Sequence, residues 1–396
     1  MIFQKALLVT GQRVECCDVQ VKNGKIAQIA APGSLAGDSI VDAQGLYLSH
    51  GFVDAHVHGG GGYDFMDGTP EAWQGAARLH LTHGTTCMVP TTLASTKEEL
   101  LRAFSVYNTC RNNSGSGAKF LGLHIEGPYL APGQCGAQDP AYLRAPQPEE
   151  YNELLDACPD ILRWTIAPEL PGALEMGDEL VKRGVVPCIG HSDADEAQVR
   201  EAMLHGYRVV THLYSAMSTI TRRQGFRHAG IIECAYIYND LFSEIIADGC
   251  HVPASLLQMA YRLIGPSRLC LVTDAMRAAG QLEGESILGS LEKGQRVILE
   301  DGVAKMPDRQ AFAGSICTTD RLVRNMVKLA GATLPQAVQM ATETPARTLG
   351  LSHKTGTVAV GRAADLILFN DEIEIQMAMV DGNICYGTDK LKIQGA

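Results

Sequence analysis

Eight apolar, strand-like runs recur between residues 50 and 351, separated by helix-like stretches, and this alternation restricts the chain more than any other feature. The runs cover residues 52–58, 86–91, 120–126, 162–167, 185–191, 208–212, 241–248 and 268–274. Helix-like segments include 70–83, 97–111, 194–205 and 253–263. Fully buried strands that alternate with helices imply a parallel sheet covered on the outside. Eight such units over some 300 residues predict an α/β fold, a (β/α)8 TIM barrel. An open, doubly wound sheet is the alternative, but no GxGxxG follows an early strand.

The two ends of the chain read differently. Alternating residues around Asn23-Gly24 signal a β-hairpin with a two-residue turn, and short strand patterns return after residue 355. Residues 1–49 and 352–396 are therefore expected to form one small β-sandwich domain, enclosing a barrel over residues 50–351. Charge then narrows the partners: 33 Lys and Arg against 44 Asp and Glu leave a net charge of −11, a poor surface for phosphate backbones. No apolar run approaches the roughly 18 residues that cross a bilayer. Nor do the first residues show a basic segment followed by an apolar stretch and a cleavage site. Twelve cysteines with no CxxC pair read as reduced thiols. A cytoplasmic protein that binds neither nucleic acid nor membrane is expected.

In a barrel of this kind, the C-terminal strand ends face the active site. Six of the eight runs finish in a potential metal ligand or acid/base: His56 and His58, Glu126, His191, His212, Asp248 and Asp274. His56 and His58, two apart on a strand, project to one face with Cα atoms about 6.5 Å apart. Two imidazoles there could grip one ion, and Gly59-Gly60-Gly61-Gly62 lets the chain turn away at once. Histidines and carboxylates converging on one barrel mouth, with coordination positions left open, are what a hydrolytic metal site requires. Asp274 could bind metal, act as general base and acid, or cap the segment that follows.

These motifs carry a resemblance. His-x-His-Gly at 56–59, Glu-Gly-Pro at 126–128, Gly-His-Ser at 190–192 and Thr-His-Leu-Tyr-x-Ala-Met at 211–217 resemble the amidohydrolase superfamily. Ala-Asp-Gly-x-His-Val at 247–252, Val-Thr-Asp-Ala-Met at 272–276 and Ala-Gly-Ser at 313–315 narrow it to the N-acetylglucosamine-6-phosphate deacetylase family, in the same order over nearly the whole chain. The resemblance implies a divalent ion (Zn2+ or Fe2+), one or two per subunit. It makes Glu126, His191 and His212 the main ligands. His56 and His58, with Glu126 bridging and Asp274 assisting, would hold a second ion. It further implies that Asp274 is the general base and acid in hydrolysis of an acetamide to acetate and a free amino sugar phosphate. Substrate contacts follow for His251, for Ser215 and Ala216, for Ala137 and Gln138, and for Ala313. Family members are commonly homodimers whose partner can complete the phosphate pocket.

Two departures from the family pattern concern substrate. The family's Lys-Gly-Ala-His is Cys135-Gly136-Ala137-Gln138 here, and Gln138 cannot be cationic. The family's Arg-Glu-Pro-Gly phosphate clamp falls in the run 221–228, rich in arginine, where Arg223 is the first choice of ligand and Arg227 the second. A planar guanidinium fork suits phosphate. The substrate is then N-acetylglucosamine 6-phosphate, a related N-acetylhexosamine phosphate, an unphosphorylated amino sugar or an N-acyl amino acid. A barrel that lost its metal and serves as a scaffold is the non-enzymatic reading, but it expects missing ligands, and none is missing.

Overall fold

The computed structural model describes residues 1–11, 13–112, 117–389, 391 and 393–394. Its eight barrel strands are β1 (Phe52–Val57), β2 (Thr85–Thr92), β3 (Leu123–Glu126), β4 (Ile161–Ile166), β5 (Val186–Ile189), β6 (Val209–Val210), β7 (Phe242–Ile245) and β8 (Leu269–Leu271). Each pairs in parallel with the next. The ring closes just beyond β8, where Val57 bridges Ala275 and the Asp274 N–H donates to the His56 carbonyl at 2.9 Å. The expected α/β barrel is thus present, and its closing seam runs through two candidate site residues.

A helix follows every strand: α1 (Pro70–Thr82), α2 (Lys97–Cys110), α3 (Pro148–Ala157), α4 (Ala173–Lys182), α5 (Glu196–Leu204), α6 (Ile231–Ile237), α7 (Ala254–Ile264) and α8 (Thr319–Lys328). Local chemistry sets their limits. The Asp195 carboxylate accepts the Gln198 N–H, so α5 starts two residues later than the expected 194. Helix α2 buries Leu100, Ala103, Phe104 and Tyr107, the helical spacing that docks one face on the strands. Trp73, Phe104, Trp164, Leu213 and Leu257 belong to the large apolar cluster that strands and helices build together.

Strands from both ends of the chain share one nine-stranded sheet, in the order Asn383–Gly387, Ile375–Val380, Leu366–Phe369, Tyr47–His50, Ile2–Val9, Val14–Lys22, Lys25–Ala30. Ile40–Asp42 also pairs with Ile2–Val9, so the sheet divides along that strand. Phe3, Val19, Val41, Leu48, Leu366 and Met377 then meet in a single buried cluster. Asn23 and Gly24 both take positive φ, as the two-residue hairpin requires. All twelve cysteines are free thiols. Among the described residues no helix is long and apolar enough to cross a membrane.

One element was not visible as a unit in the sequence. Between β8 and α8 stand the antiparallel strands Gly284–Leu288, Gln295–Glu300 and Val303–Lys305. They pack over Met276 and Ala313. Arg277 anchors this insertion to the barrel. Its guanidinium grips Asp67 at 2.6 and 2.8 Å and donates to the carbonyls of Gly62 and Gly289.

Candidate active site

The strand ends bring four imidazoles around one carboxylate. Glu126 Oε1 lies 3.0 Å from His212 Nε2, 3.3 Å from His191 Nε2 and 3.5 Å from His56 Nε2. Its Oε2 lies 3.2 Å from His58 Nε2. The nitrogens also approach in pairs, His191 with His212 and His56 with His58, each at 3.2 Å. Asp274 Oδ1 completes the group at 3.4 Å from His56 and 3.2 Å from His58. Ligands on a tetrahedral ion with bonds of about 2.0–2.1 Å stand roughly 3.3 Å apart. Both sets, Glu126 with His191 and His212 and Glu126 with His56 and His58, have that spacing, and all five side chains are buried. Two ring nitrogens that converge on each other and on a carboxylate must otherwise share protons, whereas both can turn their lone pairs to one positive charge. The residues therefore fit a divalent metal.

The histidines and carboxylates of this cluster shift one another's charge. Burial alone would lower the histidine pKa values, but Glu126 and Asp274 outweigh it and lift His56 to about 9 and His58 to about 10. Burial would likewise raise the acids, yet His56 and its neighbours hold Glu126 well below the usual carboxylate range and Asp274 at about 2. An entering ion therefore displaces protons from this cluster.

The backbone is held in uncommon conformations here. His191, His212, Tyr214, Ala216 and Asp274 all take positive φ, which costs a non-glycine residue energy and turns each side chain or peptide towards the cavity mouth. Gly59 follows His58 because a Cβ there would stand 2.2 Å from the Tyr63 carbonyl. That close approach lets the chain leave the barrel at once.

Above the cluster opens a cavity of about 430 Å³ lined by Gln134, Ala137, Gln138, Tyr214, Ser215, Ala216, His251 and Asp274 among others. Of the sequence-derived candidates, His58, Glu126, His191, His212, Asp274, Ala137, Gln138, Ser215, Ala216 and His251 line it. His56 lies directly behind, fully buried. Ala313 is also buried, with neighbours Phe312 and Gly314 on the wall instead. Arg223 and Arg227 stand elsewhere. They belong to an exposed hairpin, Thr221–Arg223 with Phe226–His228, where Arg223 pairs with Asp195 at 3.2 Å and Arg227 donates to the Gly225 carbonyl. No Lys or Arg is among the described residues lining the cavity.

One carboxylate and one amide make supporting contacts. Asp248, read from the sequence as a possible ligand or acid/base, stays out of the cluster. It accepts the His251 Nδ1 proton at 2.7 Å and the N–H groups of Cys250 and His251. Gln138 donates to Glu126 Oε2 at 2.7 Å and accepts the Ala94 N–H at 2.8 Å, so it fixes that carboxylate. Sequence reasoning missed Glu244 and Arg163, a buried ion pair inside the barrel, although a charge amid each apolar run was the available signal. It also missed Phe312, whose ring packs edge-on against His251 with centroids 4.8 Å apart.

A barrel whose strand ends hold two histidine–carboxylate sets is the architecture of metal-dependent amide hydrolases. The chain belongs to the amidohydrolase family, whose profile matches residues 47–385. Its relatives are more specific. N-acetylglucosamine-6-phosphate deacetylase of Lysinibacillus sphaericus is 34% identical over 94% of each chain. N-acetylgalactosamine-6-phosphate deacetylase of Escherichia coli O157:H7 is 30% identical over 87% of this chain and 89% of its own. A mutant of N-acetyl-D-glucosamine-6-phosphate deacetylase from Mycobacterium smegmatis, solved in complex with N-acetyl-D-glucosamine-6-phosphate, superposes with a TM-score of 0.89. That pair is 32% identical and covers 98% and 99% of the two chains.

Proposed function

We propose that the protein is a metal-dependent hydrolase that removes acetate from an N-acetylhexosamine 6-phosphate, with N-acetyl-D-glucosamine 6-phosphate as the first candidate substrate. The observation that carries this reading is Glu126 flanked by four imidazole Nε2 atoms, with Asp274 beside them at the mouth of one cavity. Glu126, His191 and His212 would hold one divalent ion, and His56 and His58 with Glu126 and Asp274 a second; zinc and ferrous iron both suit these donors. When bound, such an ion polarises the acetamide carbonyl and makes water a stronger nucleophile.

The remaining work falls to the chain's own side chains. Asp274 accepts a proton from the attacking water at a carboxylate oxygen and returns it to the departing amine nitrogen. His251, its Nδ1 proton given to Asp248, keeps the Nε2 lone pair available to accept from a substrate hydroxyl. Ser215, Ala216, Ala137 and Gln138 would border the sugar. A volume of about 430 Å³ suits a hexosamine phosphate. Because no Lys or Arg is among the described residues lining the cavity, the phosphate would be held by the Arg223 and Arg227 hairpin of a second copy in a homodimer. Residues 1–49 with 352–396 would form the supporting β domain of a cytoplasmic enzyme.

A second reading, an unphosphorylated N-acetylhexosamine, draws support from the same lack of a lining Lys or Arg. Acetate release by metal-replete protein from N-acetylglucosamine 6-phosphate, its galactosamine epimer and unphosphorylated N-acetylglucosamine separates them. A hundredfold or greater preference for a phosphorylated sugar, about 2.7 kcal/mol of transition-state discrimination, is the expected result. Arg223→Ala and Arg227→Ala should then raise KM for the phosphorylated sugar alone. Turnover of none of the three would overturn the substrate assignment.

A further inference from the structure

Behind the ligand cluster, two buried polar atoms that make no hydrogen bond face one another. His56 Nδ1 and Glu244 Oε2 lie 3.6 Å apart, on side chains with no exposed surface. Native structures pair nearly all such atoms. The two come from opposite parts of the chain, His56 from β1 and Glu244 from β7. The other oxygen of Glu244 accepts from Arg163 Nη1 on β4, and the same nitrogen donates to the Ala55 carbonyl on β1 at 3.2 Å. Arg163 thus neutralises Glu244 in the barrel interior and holds it against the strand that carries His56.

We propose that Glu244 is a positioning residue for His56, taking the Nδ1 proton so that the ring presents its bare Nε2 to the metal site. The inference rests on the metal reading above. An imidazole can ligate through Nε2 only when its proton sits on Nδ1. If the proton sat on Nε2 instead, the Nδ1 lone pair would point at a carboxylate oxygen in a dry interior, acceptor against acceptor. Glu244 therefore selects the ligating tautomer. A shift of a few tenths of an ångström at the ring brings 3.6 Å to hydrogen-bond length. The other histidines show the pattern by contrast. Nδ1 of His191 meets the Gln134 carbonyl at 2.8 Å and Nδ1 of His58 meets the Thr91 carbonyl at 3.3 Å, whereas Nδ1 of His212 has no partner. Of the four, His56 alone is backed by a carboxylate, and that carboxylate has its own counter-charge.

The test is metal binding, not turnover. Protein stripped with a chelator is titrated with Zn2+ alone against a chromophoric competitor, and loaded samples are analysed for metal content. The natural protein should take two ions. Glu244→Gln should weaken one of them by about 10–100-fold and leave the other unchanged. Because that variant leaves Arg163 buried without its counter-charge, the double variant Arg163→Met/Glu244→Leu supplies a second measurement in which an apolar pair replaces the ionic one. With circular dichroism and melting temperature matching the natural protein, it should show the same loss at one ion. Two ions bound at natural affinity in the double variant would overturn the proposal. So would a natural protein that binds a single ion, while the site of Glu126, His191 and His212 stands. Binding of no ion at all would overturn the metal reading itself, and this inference with it.

Discussion

Replacing Asp274 by asparagine tests the chemistry most directly, because it removes a proton acceptor while keeping the side chain's volume. The position takes φ of +45°, a conformation asparagine tolerates better than most residues, so the strand end and its hydrogen bond to His56 should persist. Asp274 Oδ1 lies 3.4 Å from His56 Nε2 and 3.2 Å from His58 Nε2, where an asparagine amide oxygen still accepts a hydrogen bond but cannot take a proton. General acid–base catalysis by one positioned group contributes about 10²–10⁴ in rate, or roughly 3–5 kcal/mol. Asp274 is asked to move the proton twice, so the upper half of that range is expected. The assay is acetate release under saturating metal and substrate, with substrate affinity measured by calorimetry. We expect kcat to fall by about a thousandfold or more, substrate affinity to change little, and an ion to remain at Glu126, His191 and His212. A fully loaded variant that keeps kcat within tenfold of the natural protein would refute the assignment.

Two further substitutions probe the supports. Gln138→Ala removes a hydrogen bond to a buried carboxylate and strands the buried Ala94 N–H, which together should destabilise the metal-free protein by about 3 kcal/mol; a loss below about 1 kcal/mol in denaturant unfolding would show that Gln138 does not hold Glu126. His80 is buried with its Nε2 proton donated to the Gly59 carbonyl, and burial holds its pKa at about 4 against 6.5 when exposed. Between those values the unfolded chain binds a proton that the folded one refuses, so stability present above pH 6.5 is lost as pH falls towards 4, by up to about 3 kcal/mol from this group. His80→Gln keeps a donor and should flatten that slope; equal acid sensitivity in the two proteins would refute it.

Much of the site was legible in the chain because its signals are local. A β-strand alternates faces every two residues and a barrel exposes its strand ends, so His56, His58, Glu126, His191, His212 and Asp274 could be read from position within an apolar run. The Gly59 turn and the Asn23-Gly24 hairpin were legible for the same reason, since each reflects a backbone conformation its own residues demand. Phe312 and the antiparallel insertion were not, because nothing near residue 312 reports that the chain folds back over His251.

By itself, then, the sequence determined the strands, the helices between them and the set of side chains gathered at one end. Tertiary structure alone decided how those side chains divide the work. Asp248 and Asp274 look alike as strand-end acids, yet one turns to His251 within its own loop and the other to histidines on β1. Arg223 and Arg227 look like a clamp, yet neither is among the described residues that line the cavity of their own chain. Glu244 looks like an oddity in an apolar run until β4, β7 and β1 meet around it. Residue type and spacing specify direction from a strand. Only barrel closure, which sets distances between residues tens to hundreds of positions apart, specifies the partner that each side chain meets.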